Sequence, residues 1–469
     1  MEKLLFKSIL FCCLTVLVFS FFDSFFEKPH PFKETLKEYE QYHKDNLSIL
    51  FFGNSHSYSS FDPRIFEIEL GVNSMNIASA GQRLITTSVV AEKVLKETTP
   101  ELAVVNLFSA SFNEPKNEEY KAINLLALDY LPFSWSKARV ISETFSINEW
   151  PSAFSETIRL HHNWPYLDSI NKLNVFRPID DHYMGFQTRR NRYDATTETF
   201  FNKKYEKMDS VVLALSNTEK KRINTLFTLF KENNVPVLFI NVPSDGYDKS
   251  QFYKTHAIAV SKYMKEIGAT YLEMNSIKND IPFTKNDYRN PNHLNTNGSI
   301  KASLFLSNYI KDSLKVIFNK RKINLSGNRY SQLYSKKNVL FQKEIDAAMT
   351  ERLFGIKEVI LYKINKNRYE LLFPLVSDTL GFQKVRLEHD ATPEEIRNYG
   401  TQKIFFNKDT TKVVFWGTLS NSNVLHYKDK SFAVFYFKTP LEKLRNLSFH
   451  AGNNRSVNVF SIDTLSTSK

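Results

Sequence analysis

The chain has 469 residues, 42% of them hydrophobic, which is enough for two or three domains with real cores. Its formal charge of +12 is carried by dispersed lysines without a long basic block, so the charge reads as solvated surface and nucleic acid is not an expected partner. Both cysteines, Cys12 and Cys13, fall in the first apolar stretch, which excludes a disulfide framework or a cysteine–metal site further on.

At the N-terminus, Lys3 and Lys7 precede an uncharged run from Ser8 to Phe22. A basic flank followed by an apolar core is the layout of a signal peptide or signal anchor. The run is 15 residues, short of the roughly 20 that span comfortably. With Leu4, Leu5 and Phe6 included, Lys7 can snorkel and the span becomes adequate. No small-x-small cleavage site follows, and Ile9, Leu10 and Phe11 are too bulky for lipoprotein cleavage before Cys12. Residues 1–27 are therefore expected to be an uncleaved anchor, the alternative being a buried first helix of a soluble domain. The basic flank puts the N-terminus inside and the rest outside. That places the protein in a bacterial cell envelope, held at the inner membrane with periplasmic or extracellular domains.

From 46 to 318 the pattern alternates strand and helix. Strands are expected at Leu47–Phe52, Met75–Ala78, Leu102–Phe108, Val235–Asn241 and Thr270–Glu273. Helices are expected at Ile85–Leu95, at 250–267 and at a closing segment marked by Ile300, Leu304 and Ile310. Ser216 with Glu219 forms a capping box ahead of Ile223, Leu226, Phe227 and Phe230, which share one helical face. This alternation implies a parallel sheet covered on both faces, whose ligands sit beyond the carboxyl ends of the strands. Between about 115 and 210 the alternation fails in a stretch rich in Trp, Tyr, Phe, His and Arg, read as an insertion over the active end of the sheet. Residues 320–469 contain "EVILYKI", "TKVVFWG" and "SFAVFYF", separated by turn-like breaks, and read as a β-rich accessory domain for glycan binding or docking.

Ser55 stands at the tip of the first strand, in "LFFGNSHSYSS". A serine hydroxyl is a poor nucleophile until a base, usually histidine, takes its proton. Among 11 histidines, His293 is held in the polar, turn-rich "NDYRNPNHLNTNGSIKAS" just before the closing helix. His56 is not the expected base, because neighbours on a sharp turn point apart. His161, His162 and His182 have no carboxylate spacing that suggests a metal, and no cofactor is expected.

"GNSHS", "MNIASAGQ" (75–82) and "NPNHLNTNGSIKAS" resemble the first, second and last blocks of SGNH (GDSL-like) hydrolases, in particular extracytoplasmic members related to polysaccharide O-acetyltransferases and esterases. The resemblance covers about 46–318. It implies an α/β/α parallel-sheet domain with an aromatic-rich insertion, followed by the C-terminal β-rich domain. It further implies Ser55 as nucleophile, His293 as base, and Gly81 with the Ser55 backbone N–H as oxyanion donors, with Asn54 beside them. Two positions depart from the pattern. Asn290 stands where the family has its aspartate, with Asp287 nearby as a possible substitute. The third-block asparagine falls near Ala110, leaving Ser109, Ser111 or Asn113 to supply the donor.

The expected function is a serine-dependent acyl ester hydrolase or O-acetyltransferase acting on cell-envelope or extracellular carbohydrate. Its partners would be an acylated carbohydrate, the membrane and a membrane acyl-transfer partner. The alternative is a catalytically silent SGNH-like binding or assembly partner in an envelope polysaccharide system.

Overall fold

The computed structural model describes residues 2–26, 30–42, 46–107, 118–166, 181–209, 215–277, 281–319, 325–336, 339–345, 355–365, 368–378 and 424–437, with further strands at 383–390, 405–406, 412–419, 444–451 and 455–461. Helix α1 (Glu2–Phe26) carries the N-terminal apolar run. Among the described residues no helix is long and apolar enough to cross a membrane. Near the end of α1, the Asp23 carboxylate accepts from the Ser155 hydroxyl at 2.8 Å and the Thr157 N–H at 2.7 Å. Helix α2 (Pro31–Gln41) starts where the His30 ring accepts from the Phe32 N–H. It buries Phe32, Leu36 and Tyr39, spaced i, i+4, i+7, against the sheet.

The central sheet is built from β1 (Leu47–Gly53), β2 (Asn73–Ala78), β3 (Leu102–Asn106) and, after the hairpin β4–β5 (Asp181–Tyr183, Phe186–Thr188), β6 (Val237–Asn241) and β7 (Thr270–Glu273). All pairs are parallel, in the order β2-β1-β3-β6-β7. The all-apolar core of β1 follows from burial on both faces. Leu50 and Phe52 face one layer and Ile49 and Phe51 the other.

The chain leaves β1 through α3 (Ser55–Tyr58) and α4 (Pro63–Glu69), and leaves β2 through α5 (Leu84–Leu95). The insertion after β3 forms α6 (Glu118–Leu128), α7 (Trp135–Thr144), α8 (Trp150–Phe154), α9 (Glu156–Leu160) and α10 (Ala195–Asp209). Next come α11 (Asn217–Glu232), opened by the Ser216–Glu219 capping box, and α12 (Asp245–Lys249) and α13 (Gln251–Glu266). The small ladder β8 (Tyr288–Asn290) and β9 (His293–Leu294) precedes the closing helix α14 (Thr296–Tyr309). Helices α5, α11 and α13 cover one face of the sheet, and α4 and α14 the other. The result is an α/β/α domain whose strand order reverses between β1 and β3, the switch point at which ligands bind in such sheets.

After α15 (Arg329–Tyr334) the chain is β-rich. It comprises β10 (Val339–Glu344), β11 (Glu358–Asn365), β12 (Arg368–Pro374), β13 (Gln383–Asp390), β14 (Phe405–Phe406), β15 (Lys412–Leu419), β16 (Leu425–Tyr427), β17 (Lys430–Phe437), β18 (Leu444–Ala451) and β19 (Arg455–Ser461). They form two antiparallel sheets, β10-β11-β12-β17-β16 and β14-β15-β13-β18-β19. The first packs on the α/β domain: Ile65 of α4 and Ile300 of α14 share a buried cluster with Tyr330, Ile360, Leu372 and Phe432.

Candidate active site

The turn after β1 lifts Ser55 out of the sheet. Gly53 has φ +132, a backbone that disfavours any side chain, and a Cβ there would lie 3.1 Å from the Cβ of Asn106 on β3. The close approach of β1 to β3 and the sharp exit thus both need glycine. Asn54 then caps α3, its Oδ1 accepting from the His56 N–H at 2.9 Å and from the Asn106 side-chain amide at 3.1 Å. Asn54 is buried, and its carbonyl oxygen holds the shape of the turn. Ser55 takes the first position of α3, where the backbone N–H has no intrahelical acceptor.

The β8–β9 ladder brings His293 to it. Asn290 and His293 are paired residues of that ladder. The Ser55 hydroxyl lies 2.7 Å from His293 Nε2, and Asn290 Oδ1 lies 2.9 Å from His293 Nδ1. The same Asn290 oxygen accepts from the Asn292 backbone N–H at 3.0 Å. A backbone N–H can only donate, so the amide atom facing it is oxygen, not nitrogen. That oxygen also faces Nδ1, so Nδ1 carries the proton and Nε2 is left as the acceptor for the Ser55 O–H. Asn290 therefore selects the tautomer in which Nε2 can accept a proton.

Asp287 is placed differently. Its carboxylate accepts from the Thr284 N–H at 2.7 Å and the Thr284 hydroxyl at 3.1 Å, and pairs with Lys301 Nζ at 2.8 Å. All three contacts fall on one carboxylate oxygen, Oδ2, and through them Asp287 caps its own turn. The cause is local: Thr284-x-x-Asp287 is a capping box, in which the Asp287 side chain reaches back to the Thr284 N–H.

Gly81 lies in the turn after β2, with φ +64. The register places Gly53 opposite Ala78, so the Ser55 turn and the Gly81 turn leave the sheet at the same end, side by side. Ser109 lies outside the described residues, as do Ala110, Ser111 and Asn113. Asn106 at the end of β3, which sequence reasoning passed over, is the buried side chain that meets the Ser55 turn from that strand.

Three further groups surround Ser55 and His293. The His56 ring stacks on His293 with centroids 4.4 Å apart, so the two neighbours on the turn do not part company as expected. Burial, and then the Arg289 charge, hold His56 well below the usual histidine range, so this ring is neutral at pH 7. The Tyr58 hydroxyl lies beside both Ser55 and Arg289; burial raises its pKa and Arg289 opposes the rise. Tyr58 closes the short helix that Ser55 opens, and Arg289 precedes Asn290 on β8. No spacing rule reveals them, because their meeting depends on how the two loops fold together. The histidines of the insertion lie apart from this group: His182 pairs with Glu38 at 3.2 Å, and the His161 ring meets the Ile158 carbonyl at 2.8 Å.

No family model matches the chain, and no curated protein does. Among solved structures, one assigned as an acylhydrolase from Bacteroides fragilis is similar at 10% identity and TM-score 0.30, over 59% of this chain and 94% of that one. A gut microbial diltiazem-metabolizing enzyme is similar at 11% identity and TM-score 0.27, over 73% of this chain and 59% of that one. A two-domain esterase active on acetylated mannans, co-crystallised with mannopentaose, is similar at 11% identity and TM-score 0.26, over 92% of this chain and 94% of that one.

Proposed function

We propose that this chain is a serine-dependent acyl ester hydrolase or O-acetyltransferase acting on acylated carbohydrate of the cell envelope. The observation that carries the reading is the hydrogen-bonded line from Ser55 Oγ to His293 Nε2 and from His293 Nδ1 to Asn290 Oδ1, at 2.7 and 2.9 Å. Ser55 Oγ attacks the acyl carbonyl while its proton passes to Nε2. The carbonyl electron pair moves to oxygen, where the backbone N–H groups of Ser55 and Gly81 are the expected donors. Collapse expels the sugar alkoxide, which takes the proton from Nε2 and leaves Ser55 acylated. Water, or a second glycan hydroxyl, then gives its proton to Nε2 and attacks the acyl carbon; the acyl–Oγ bond breaks, Ser55 Oγ takes the proton back from Nε2, and the acid or the new ester leaves. Asn290 holds the imidazole through every step but adds no negative charge to the imidazolium.

Membrane anchoring by α1 belongs to the same proposal. Leu5, Phe6, Leu10, Phe11, Leu14 and Phe21 are exposed along it. The uncharged run of 15 residues rises about 22 Å at 1.5 Å per residue. That falls short of the ~30 Å hydrocarbon core, a gap that snorkelling by Lys7 narrows.

Asn290 also favours a second reading, a silent binding partner, because the base lacks the usual carboxylate. Hydrolysis of p-nitrophenyl acetate separates the two. Active wild type with a loss of about a hundredfold or more in Ser55→Ala supports the enzyme. Wild type and Ser55→Ala equally inactive on acetyl esters and acetylated glycans would support the silent partner.

A further inference from the structure

The cationic side of the site is not explained by the acyl transfer chemistry. Arg289 lies part-buried on β8, one residue before Asn290. Its Nε is shielded from solvent and has no hydrogen-bond partner. Among the described residues no carboxylate pairs with it. Its polar neighbours include the Tyr58 hydroxyl, the His56 ring and a second guanidinium, that of Arg189. Arg189 is exposed, and its backbone carbonyl accepts from the Thr296 N–H at 3.1 Å, which ties it to the start of α14 beside the His293 loop. Tyr58 in turn lies beside Ser55.

Two guanidinium groups within electrostatic reach of each other, one of them part-buried and with no paired carboxylate among the described residues, is a costly arrangement for the free protein. Buried charges are ordinarily paired, as are the two fully buried arginines Arg64, which pairs with Asp62 at 2.7 Å, and Arg329, which pairs with Glu370 at 2.6 Å. Guanidinium groups bind planar or tetrahedral oxyanions through parallel N–H donors, with more geometric selectivity than lysine.

We propose that Arg289, with Arg189 beside it, binds an oxyanion substituent of the glycan next to its ester, so that the substrate is an O-acylated acidic polysaccharide and not a neutral one. This rests on the ester-chemistry reading of Ser55 and His293. Carboxylate and sulfate share the chemistry the two arginines recognise. Tyr58, between Arg289 and Ser55, sets the anionic group close to the acyl carbon that Ser55 attacks.

The test uses full-length Ser55→Ala protein in detergent, which binds without turning over. Calorimetric titration compares three probes: an O-acetylated oligogalacturonide, the same oligosaccharide with its carboxyls methyl-esterified, and a sulfated, O-acetylated neutral oligosaccharide. An anionic probe, of either kind, is expected to bind at least about tenfold more tightly than the methyl ester, with a preference that shrinks as salt rises. The tighter of the two identifies the anion. Adding Arg289→Gln should remove the preference, whereas Arg289→Lys should keep part of it. Equal binding of all three probes would overturn the assignment, and so would a preference that survives Arg289→Gln. If Arg289→Gln does not fold, the three-probe comparison on Ser55→Ala alone still decides. Because binding is read without catalysis, a failure here is separate from a failure to hydrolyse p-nitrophenyl acetate, which would count against the ester chemistry itself.

Discussion

Asn290 is the residue on which the proposed chemistry turns. An amide oxygen locked between the Asn292 N–H and His293 Nδ1 positions the base as a carboxylate would. It cannot, however, offset the positive charge that His293 gains. Asn290→Asp keeps both acceptor contacts and adds that charge. It should raise kcat on acetyl esters about tenfold, equivalent to 1.36 kcal/mol at the transition state, and an unchanged or lower kcat would show that the charge is not limiting. Asp287→Asn should leave kcat within about twofold, because its contacts are to Thr284 and Lys301. Its cost is to stability, about 1–2 kcal/mol for weakened charge-assisted hydrogen bonds, read as a lower melting temperature. A large fall in kcat with stability intact would return Asp287 to the catalytic group. Ser55 is legible in the sequence because it stands where an apolar run breaks at the end of a strand, and His293 because it sits in a polar, turn-rich stretch just before the closing helix. Thr284-x-x-Asp287 was equally legible as a cap, but proximity to His293 in the chain suggested a catalytic role.

At the scale of elements, strand positions and the turn at Ser55 were within reach of the sequence, since β1, β3 and β6 are short apolar runs and Ser216–Glu219 marks a helix start. Helix α2 was not read, though Phe32, Leu36 and Tyr39 keep helical spacing. The β4–β5 hairpin was hidden as well, because its place depends on a tertiary contact. Gly185 has φ +72 and lies so close to the Asn76 carbonyl that a Cβ would stand 2.0 Å from that oxygen. Met184 accepts there from the Asn76 N–H at 2.9 Å. Arg289 was printed in the sequence beside Asn290, yet side-chain direction on a two-stranded ladder follows from how the loop folds. Gly53 gives the sharpest test of element geometry. Gly53→Ala must strain a φ of +132 and press on Asn106, costing about 1–3 kcal/mol. It should also lower kcat at least about tenfold by shifting Ser55, two residues on. A variant with normal kcat would show that the glycine is not what sets the turn.

Over the whole molecule, the C-terminal region is bound to the α/β domain through buried polar groups as well as through the cluster around Ile65 and Ile300. Tyr330 donates to Asp62 at 2.8 Å, and Asn328 donates to Glu67 at 2.8 Å. Tyr183 also donates to Glu67, at 2.9 Å. Asn297, at the start of α14, donates to the Val424 carbonyl at 2.9 Å, so a loop of the β-rich region braces the helix that follows His293. Burial raises the Glu67 carboxyl from 4.5 to about 7. Between those values the folded state keeps a proton that the unfolded chain has lost, so this group's contribution is full below 4.5 and disappears as pH rises through about 7. Glu67→Gln can keep both contacts, accepting from Asn328 and donating to Tyr183. Its melting temperature should therefore fall less than that of wild type between about pH 5 and pH 8.5, with the gap worth up to roughly 3 kcal/mol. Parallel melting curves would show that Glu67 is not the titrating group.

The central claim is that Ser55 is a nucleophile activated by His293. Intact-mass and peptide mass spectrometry after exposure to a fluorophosphonate tests it directly, because such a reagent reacts with an activated serine and needs no knowledge of the natural substrate. The account predicts one adduct, mapped to Ser55, forming in wild type, absent from Ser55→Ala, and at least about a hundredfold slower in His293→Ala. No adduct on Ser55, or labelling at the same rate without His293, would contradict it.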